Sequence, residues 1–170
     1  LGPHGAVNSL WLTTDSDVTG SSTPGTSTWS AGELLEIADP NLSFDPAGIT
    51  SNDTNGTFSS IVNLDAFNFG GTSSDNDIII DAMHYVSTDI TVGSTNTFDL
   101  QRGDVLLSVN QTETFTSTDA STLTVSNEDV FVFRPDVKNV YNAGNFFMLL
   151  EGVSTAGSQL RGISLVEQDT

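Results

Sequence analysis

A chain of 170 residues with 22 Asp and Glu against four Lys and Arg carries a formal charge of −18. That charge argues against nucleic acid and anionic membrane surfaces as partners, because both are held by clustered Lys and Arg. The lack of cysteine excludes disulfides, thiol redox chemistry and thiolate metal sites, and no apolar run is long enough to insert into a membrane as a helix.

Only 36% of the residues are hydrophobic and 15% are charged; Ser, Thr, Asn and Gly fill the difference. With ten Phe and many Val and Ile, this composition predicts strands joined by many turns. Apolar clusters recur from end to end, which a disordered chain lacks. In chain order, Leu1-Gly2-Pro3-His4-Gly5 reads as a cloning remnant, and residues 6–170 as a single all-β domain. Strands are predicted over 9–14, 33–38, 57–64, 78–87, 103–109, 121–125, 129–134, 146–151 and 161–167. Turn signals separate them at Pro24-Gly25, Asp39-Pro40, Asp45-Pro46, Asn55-Gly56, Gly70-Gly71, Arg102-Gly103 and Pro135-Asp136. The Ser- and Thr-rich stretches 15–28 and 110–120 are expected to be long loops or irregular edge segments. No window carries a capped 3.6-residue apolar period, so little or no helix is expected.

A short strand with a polar turn occurs three times, about 75–80 residues apart: Leu10-Trp11-Leu12-Thr13-Thr14-Asp15, His84-Tyr85-Val86-Ser87-Thr88-Asp89 and Ser164-Leu165-Val166-Glu167-Gln168-Asp169. Trp29-Ser30-Ala31-Gly32-Glu33-Leu34-Leu35-Glu36-Ile37 matches Val125-Ser126-Asn127-Glu128-Asp129-Val130-Phe131-Val132-Phe133, each an acidic turn leading into an apolar strand. Gly56-Thr57-Phe58 matches Gly144-Asn145-Phe146, and Gly103-Asp104-Val105-Leu106-Leu107-Ser108-Val109 adds one more acidic-turn strand. The expected fold is an antiparallel β-sandwich or flattened barrel of two related units, 8–80 and 81–160, with a closing strand at 161–170. Propeller-like blades are the alternative, but two units cannot close a ring.

The segments around Gly103-Asp104-Val105-Leu106-Leu107-Ser108, Glu128–Asp136 and Ala82–Asp89 resemble a repeat region of very large bacterial surface proteins that also carry cadherin-like adhesin modules. The resemblance covers most of residues 8–170. It implies an extracellular or cell-surface setting and an adhesive or binding role, with neighbouring repeats of the same chain among the partners. It assigns no functional residues.

Calcium is the expected cofactor, because it takes carboxylate and carbonyl oxygens. Asp75-Asn76-Asp77 is the first candidate site, since its three oxygen donors precede a buried strand. Asp15 and Asp17 follow, then Asn127-Glu128-Asp129 and the turn of Asp53 and Asn55. None is an EF-hand loop, and Asp and Asn also dominate turns by capping their own backbone. For a glycan, Trp11, Trp29 and Tyr85 are the candidate stacking residues, although large apolar residues fill the matched positions, as in a core. No catalytic residue is assigned. His84 is the only imidazole outside the first five residues, Asp81 lies on the opposite face of its strand, and no nucleophile elbow is present. Lys138, the only lysine, reads as an exposed turn residue. The expectation for the whole is a non-catalytic, calcium-stabilised structural or adhesive module that meets a glycan or another surface protein. The alternative is a carbohydrate-binding module of a polysaccharide-active enzyme.

Overall fold

The computed structural model describes residues 9–22, 25–38, 57–69, 78–152 and 159–167. In chain order the strands are β1 (Ser9–Leu12), β2 (Val18–Ser22), β3 (Gly25–Trp29), β4 (Glu33–Ala38), β5 (Thr57–Asn63), β6 (Ile80–Tyr85), β7 (Ile90–Val92), β8 (Phe98–Leu100), β9 (Val105–Val109), β10 (Glu113–Thr116), β11 (Thr122–Val125), β12 (Val130–Val137) and β13 (Val140–Leu150). A single 3-10 turn spans Leu64–Phe67, and no α-helix occurs among the described residues.

Two antiparallel sheets form the body, a three-stranded one in the order β1-β4-β5 and a four-stranded one in the order β13-β12-β9-β6. Three hairpins, β2–β3, β7–β8 and β10–β11, accompany them, and among the described residues no sheet closes into a barrel. The main core lies between the two sheets. Leu34 and Val62 from the first meet Val105, Leu107, Val109, Phe131, Phe133 and Phe146 from the second, and Phe115 and Val125 of the β10–β11 hairpin join them. This is the expected all-β sandwich.

The two central strands of the four-stranded sheet, β9 and the first half of β12, are buried on both faces. Val86, Leu100, Leu106, Val130 and Val132 form a second core on the sheet's outer face, covered by Ile90, Val92 and Phe98 and by Leu160, Ile163 and Leu165. Double burial explains why Val105–Leu107 and Val130–Phe133 read as unbroken apolar runs and not as alternation.

The three acidic turns share one construction. Ser30 N–H donates to Glu33 Oε1 at 3.0 Å while Glu33 N–H donates back to the Ser30 carbonyl at 3.1 Å. Gln101 and Asp104 repeat the pair at 2.9 and 2.9 Å, and Ser126 and Asp129 at 2.7 and 3.2 Å. Glu33, Asp104 and Asp129 are buried, so each is a structural acid that closes a turn and starts a strand. The matched strand pairs also share their register. Ile37 faces Phe58 and Ala38 faces Thr57 in β4–β5; Phe133 faces Phe146 and Arg134 faces Asn145 in β12–β13. Both pairs bulge at the equivalent step, Leu34/Leu35 and Val130/Phe131. In the flanking strands the equivalence is shifted: Leu12 faces Leu35, two residues past Glu33, and His84 faces Leu106, two residues past Asp104. Leu12 therefore corresponds to His84 and not to Val86.

Four expectations change. The stretches 15–28 and 110–120 contain β2, β3 and β10, because their hydroxyls pair across strands: Thr19 with Thr28 at 2.8 Å and Thr114 with Thr124 at 2.9 Å. The β7–β8 hairpin had no counterpart among the expected strands. Pro135-Asp136 does not end its strand. Beyond Phe133, β12 is paired on one side only, so Pro135 removes no ladder hydrogen bond. Finally, 161–167 forms no strand beside β1 and lies instead on the outer face of the four-stranded sheet.

The long edge strand β13 is sealed by a loop. Gly144 N–H donates to Thr118 Oγ1 at 2.8 Å, and the Thr118 N–H donates to the Gly144 carbonyl at 2.9 Å. Phe146 N–H donates to Ser117 Oγ at 3.0 Å. Such a cover withholds ladder groups from other chains. Gly144 is required there, since a Cβ would stand 2.4 Å from the Arg134 carbonyl oxygen.

Candidate functional site

Asp53, Asn55, Asp75, Asn76 and Asp77 lie outside the described residues. Asp15 and Asp17 are exposed on the turn between β1 and β2, where Thr14 Oγ1 donates to the Ser16 carbonyl at 2.9 Å. Asp17 shares the rim of a hollow of about 450 Å³ with Glu33, Asn63 and Asp65. Glu33 is already committed to its turn, and Asp65 Oδ2 accepts the Ser30 hydroxyl at 2.8 Å. Among the described residues no three His, Asp or Glu converge closely enough to hold a metal ion. Asp129, in the third candidate turn, accepts the N–H groups of Ser126 and Gly152 at 2.7 and 2.8 Å.

The aromatic candidates sit within the fold. Trp29 is only 7% exposed and rests against Phe58, with ring centroids 5.7 Å apart. Trp11 is half-buried. Its Nε1 donates to Glu36 Oε1 at 3.4 Å, and its ring meets Tyr85 and Tyr141 edge-on at 5.4 and 5.7 Å. Burial holds the Tyr141 phenol above its usual pKa, with Tyr85 and Asp104 adding to the shift; its hydroxyl donates to the Gly103 carbonyl at 3.2 Å.

A cleft of about 700 Å³ lies at the end of the four-stranded sheet where the Gln101–Asp104 turn meets β12. Three of the four Lys and Arg side chains line it, Arg102, Arg134 and Lys138, together with Asp89, Asp99, Asp104 and Asp136. Arg134 is its fixed centre. Nε and Nη2 donate to the two oxygens of fully buried Asp104 at 2.9 and 2.7 Å, and Nη2 also donates to the Asp99 carbonyl at 2.7 Å. The bonds to Asp104 raise the guanidinium pKa against the opposing pull of burial. Its cation stands 5.8 and 5.3 Å from the ring centroids of Phe98 and Phe147. Arg102 and Lys138 are exposed at the mouth. Positions so far apart in sequence carry no local signal of this convergence.

A second arrangement was equally silent in the sequence. Glu167 folds back across the sheet and seats its carboxylate in a clamp. Ser87 N–H donates to both oxygens at 3.0 and 2.9 Å, Ser87 Oγ and Thr88 N–H (2.9 Å) donate to Oε2, and His84 Nε2 lies 3.1 Å from Oε1. Burial pushes the carboxyl pKa up, but the donors of Ser87, His84 and Thr88 together outweigh it and hold the group below the usual glutamate value. His84 thus has a charged partner, and it projects from the outer face of β6 as alternation requires, while Met83 faces the main core.

A depressed carboxyl pKa stabilises the docked state at pH above the unfolded value, and that stability is lost as pH falls through the lowered one. Protection of the Ser87 and Thr88 amides from hydrogen exchange, measured against the intrinsic rate at each pH, is therefore expected to be full above the ordinary glutamate pKa and to be lost as pH falls through the lowered one. Glu167→Gln should abolish that acid limb. A scan against protein-family models, a search of curated proteins and a search of solved structures each find no match to the chain.

Proposed function

We propose that the chain is a non-catalytic structural or adhesive module that acts outside the cell or at its surface and is stabilised by calcium. The observation that carries this reading is the duplicated unit, an acid-closed turn followed by a bulged strand pair in one register. Repetition of one supersecondary unit is how repeat-built surface proteins are assembled, and the resemblance of these segments to repeats of large bacterial surface proteins supports the same setting. Three of the buried acids are consumed by turns, which leaves exposed ones such as Asp15 and Asp17 as oxygen donors for a hard cation. Asp65 Oδ1, a buried oxygen without a hydrogen-bond partner, belongs to the same rim as Asp17.

Thermal unfolding in millimolar calcium and in EDTA tests the ion. Calcium at 100 times its Kd stabilises by about 2.7 kcal/mol, an expected rise of about 5–10 °C in Tm for a chain of this size. Asp17→Ala should reduce the rise. Identical melting curves would remove calcium from the reading.

A second reading, a glycan-binding module, draws on the polar cleft at Arg134, where Gln101, Arg102 and Lys138 stand beside Asp89, Asp99 and Asp136. Saturable binding on a glycan array, weakened by Lys138→Ala, would favour it over the first.

A further inference from the structure

We propose that the outer face of the four-stranded sheet is a docking groove for an extended peptide ending in a carboxylate side chain, and that its intermolecular partner is segment 159–167 of a second copy of this chain. The resident segment displays the chemistry the groove accepts. Ile163, Leu165 and Glu167 turn inward while Gly162, Ser164 and Val166 face out, the two-residue period of an extended chain. Yet the segment forms no β-bridge to any described strand. Its backbone is tied at one end, where Leu160 N–H donates to the Asn127 carbonyl at 3.1 Å and Ser108 Oγ donates to the Leu160 carbonyl at 3.3 Å.

Recognition therefore rests on side chains. Leu160, Ile163 and Leu165 enter the cluster of Val86, Leu100, Leu106 and Val132, and the clamp at His84, Ser87 and Thr88 takes the carboxylate. The clamp is an anion receptor made of fixed donors, on a chain whose charge of −18 otherwise repels acids. Each copy carries both the groove and the segment that fits it, so a segment from a neighbour satisfies every contact that the resident one makes. Intramolecular docking wins in dilute solution because tethering supplies an effective concentration of about millimolar. Copies crowded on a surface approach that concentration, and exchange then links them.

The inference deepens the adhesive reading and rests on it for its setting. The assay reads groove occupancy alone, whereas the adhesive reading is tested by calcium melting, so the two fail separately. The probe is a fluorescent, C-terminally amidated peptide of residues 159–167, titrated with the full chain. Peptide is expected to bind the Glu167→Ala chain at least tenfold more tightly than the parent, whose own segment competes. The peptide with its glutamate replaced by alanine is expected to bind at least tenfold more weakly. Absence of saturable binding to either chain, or indifference to the peptide glutamate, overturns the proposal. Native mass spectrometry of mixed light and ¹⁵N parent chains keeps the test independent of the variant. Mixed-mass dimers that form at high concentration and dissolve in excess peptide support exchange. Dimers that never form, or that ignore the peptide, overturn it.

Discussion

Replacing Arg134 with methionine is expected to lower the unfolding free energy by about 3–5 kcal/mol, the range found when one partner of a buried ion pair is removed. Asp104 is fully buried, and Arg134 supplies two of the donors that compensate its charge. Methionine fills much of the arginine stem but gives no hydrogen bond, so the carboxylate is left with the Gln101 N–H as its remaining donor among the described residues. The cation also leaves the rings of Phe98 and Phe147, which join β8 to β13. For a chain of this size the loss corresponds to a fall in Tm of roughly 10 °C. Adding Asp104→Asn should recover at least about half of it, because an amide oxygen still accepts from Gln101 and no unpaired charge stays buried. Failure of the second substitution to rescue would mean that Arg134 stabilises by its contacts with the rings and not by neutralising Asp104. Thermal and denaturant unfolding of the two variants decide this.

The features legible in the sequence are those written in neighbouring residues. An acidic turn opening an apolar run is such a signal, and it is legible at Glu33, Asp104 and Asp129; that each carboxylate closes its own turn is seen only in the hydrogen bonds. The strands that follow were legible as well, since Gly56-Thr57-Phe58 and Gly144-Asn145-Phe146 occupy the same order after those turns, whereas their pairing with β4 and β12 is seen only in the sheet register. What stayed hidden depends on distance along the chain. His84 and Glu167 are 83 positions apart, and nothing in a glutamate near a run of Leu and Val marks it as the occupant of a clamp. The convergence of Arg102, Arg134 and Lys138 needs the turn before β9 and the end of β12 to be neighbours, which only the sheet order establishes. The segment 161–167 alternates like a strand and so was read as one. Alternation reports an extended chain with one buried face, and a chain lying over a sheet satisfies that as well as a chain within it.

Phe115→Ala is expected to destabilise the fold by about 3–5 kcal/mol, as removal of a buried aromatic ring does. It lies in the stretch whose Thr and Ser content reads as a loop, yet it is among the largest fully buried side chains. Its ring stacks on Phe131 and Phe146 at 5.4 and 5.0 Å, and Phe146 in turn meets Phe133 at 5.0 Å and Phe67 at 5.3 Å. Five phenylalanines from three strands and the 3-10 turn therefore touch through this one cluster. Removing the ring leaves a cavity lined by rigid neighbours that cannot collapse into it. The adjacent Thr114 faces outward and bonds across to Thr124, so Thr114→Ala should change stability by no more than about 0.5–1 kcal/mol. The contrast between the two substitutions, read from denaturant midpoints, separates a strand that closes the core from a loop that decorates it. Similar small losses from both would place Phe115 outside the core and return 110–120 to the loop that its composition suggests. A large loss from Phe115→Ala alone would show how a single aromatic in a threonine-rich strand anchors a hairpin to the core of a sandwich.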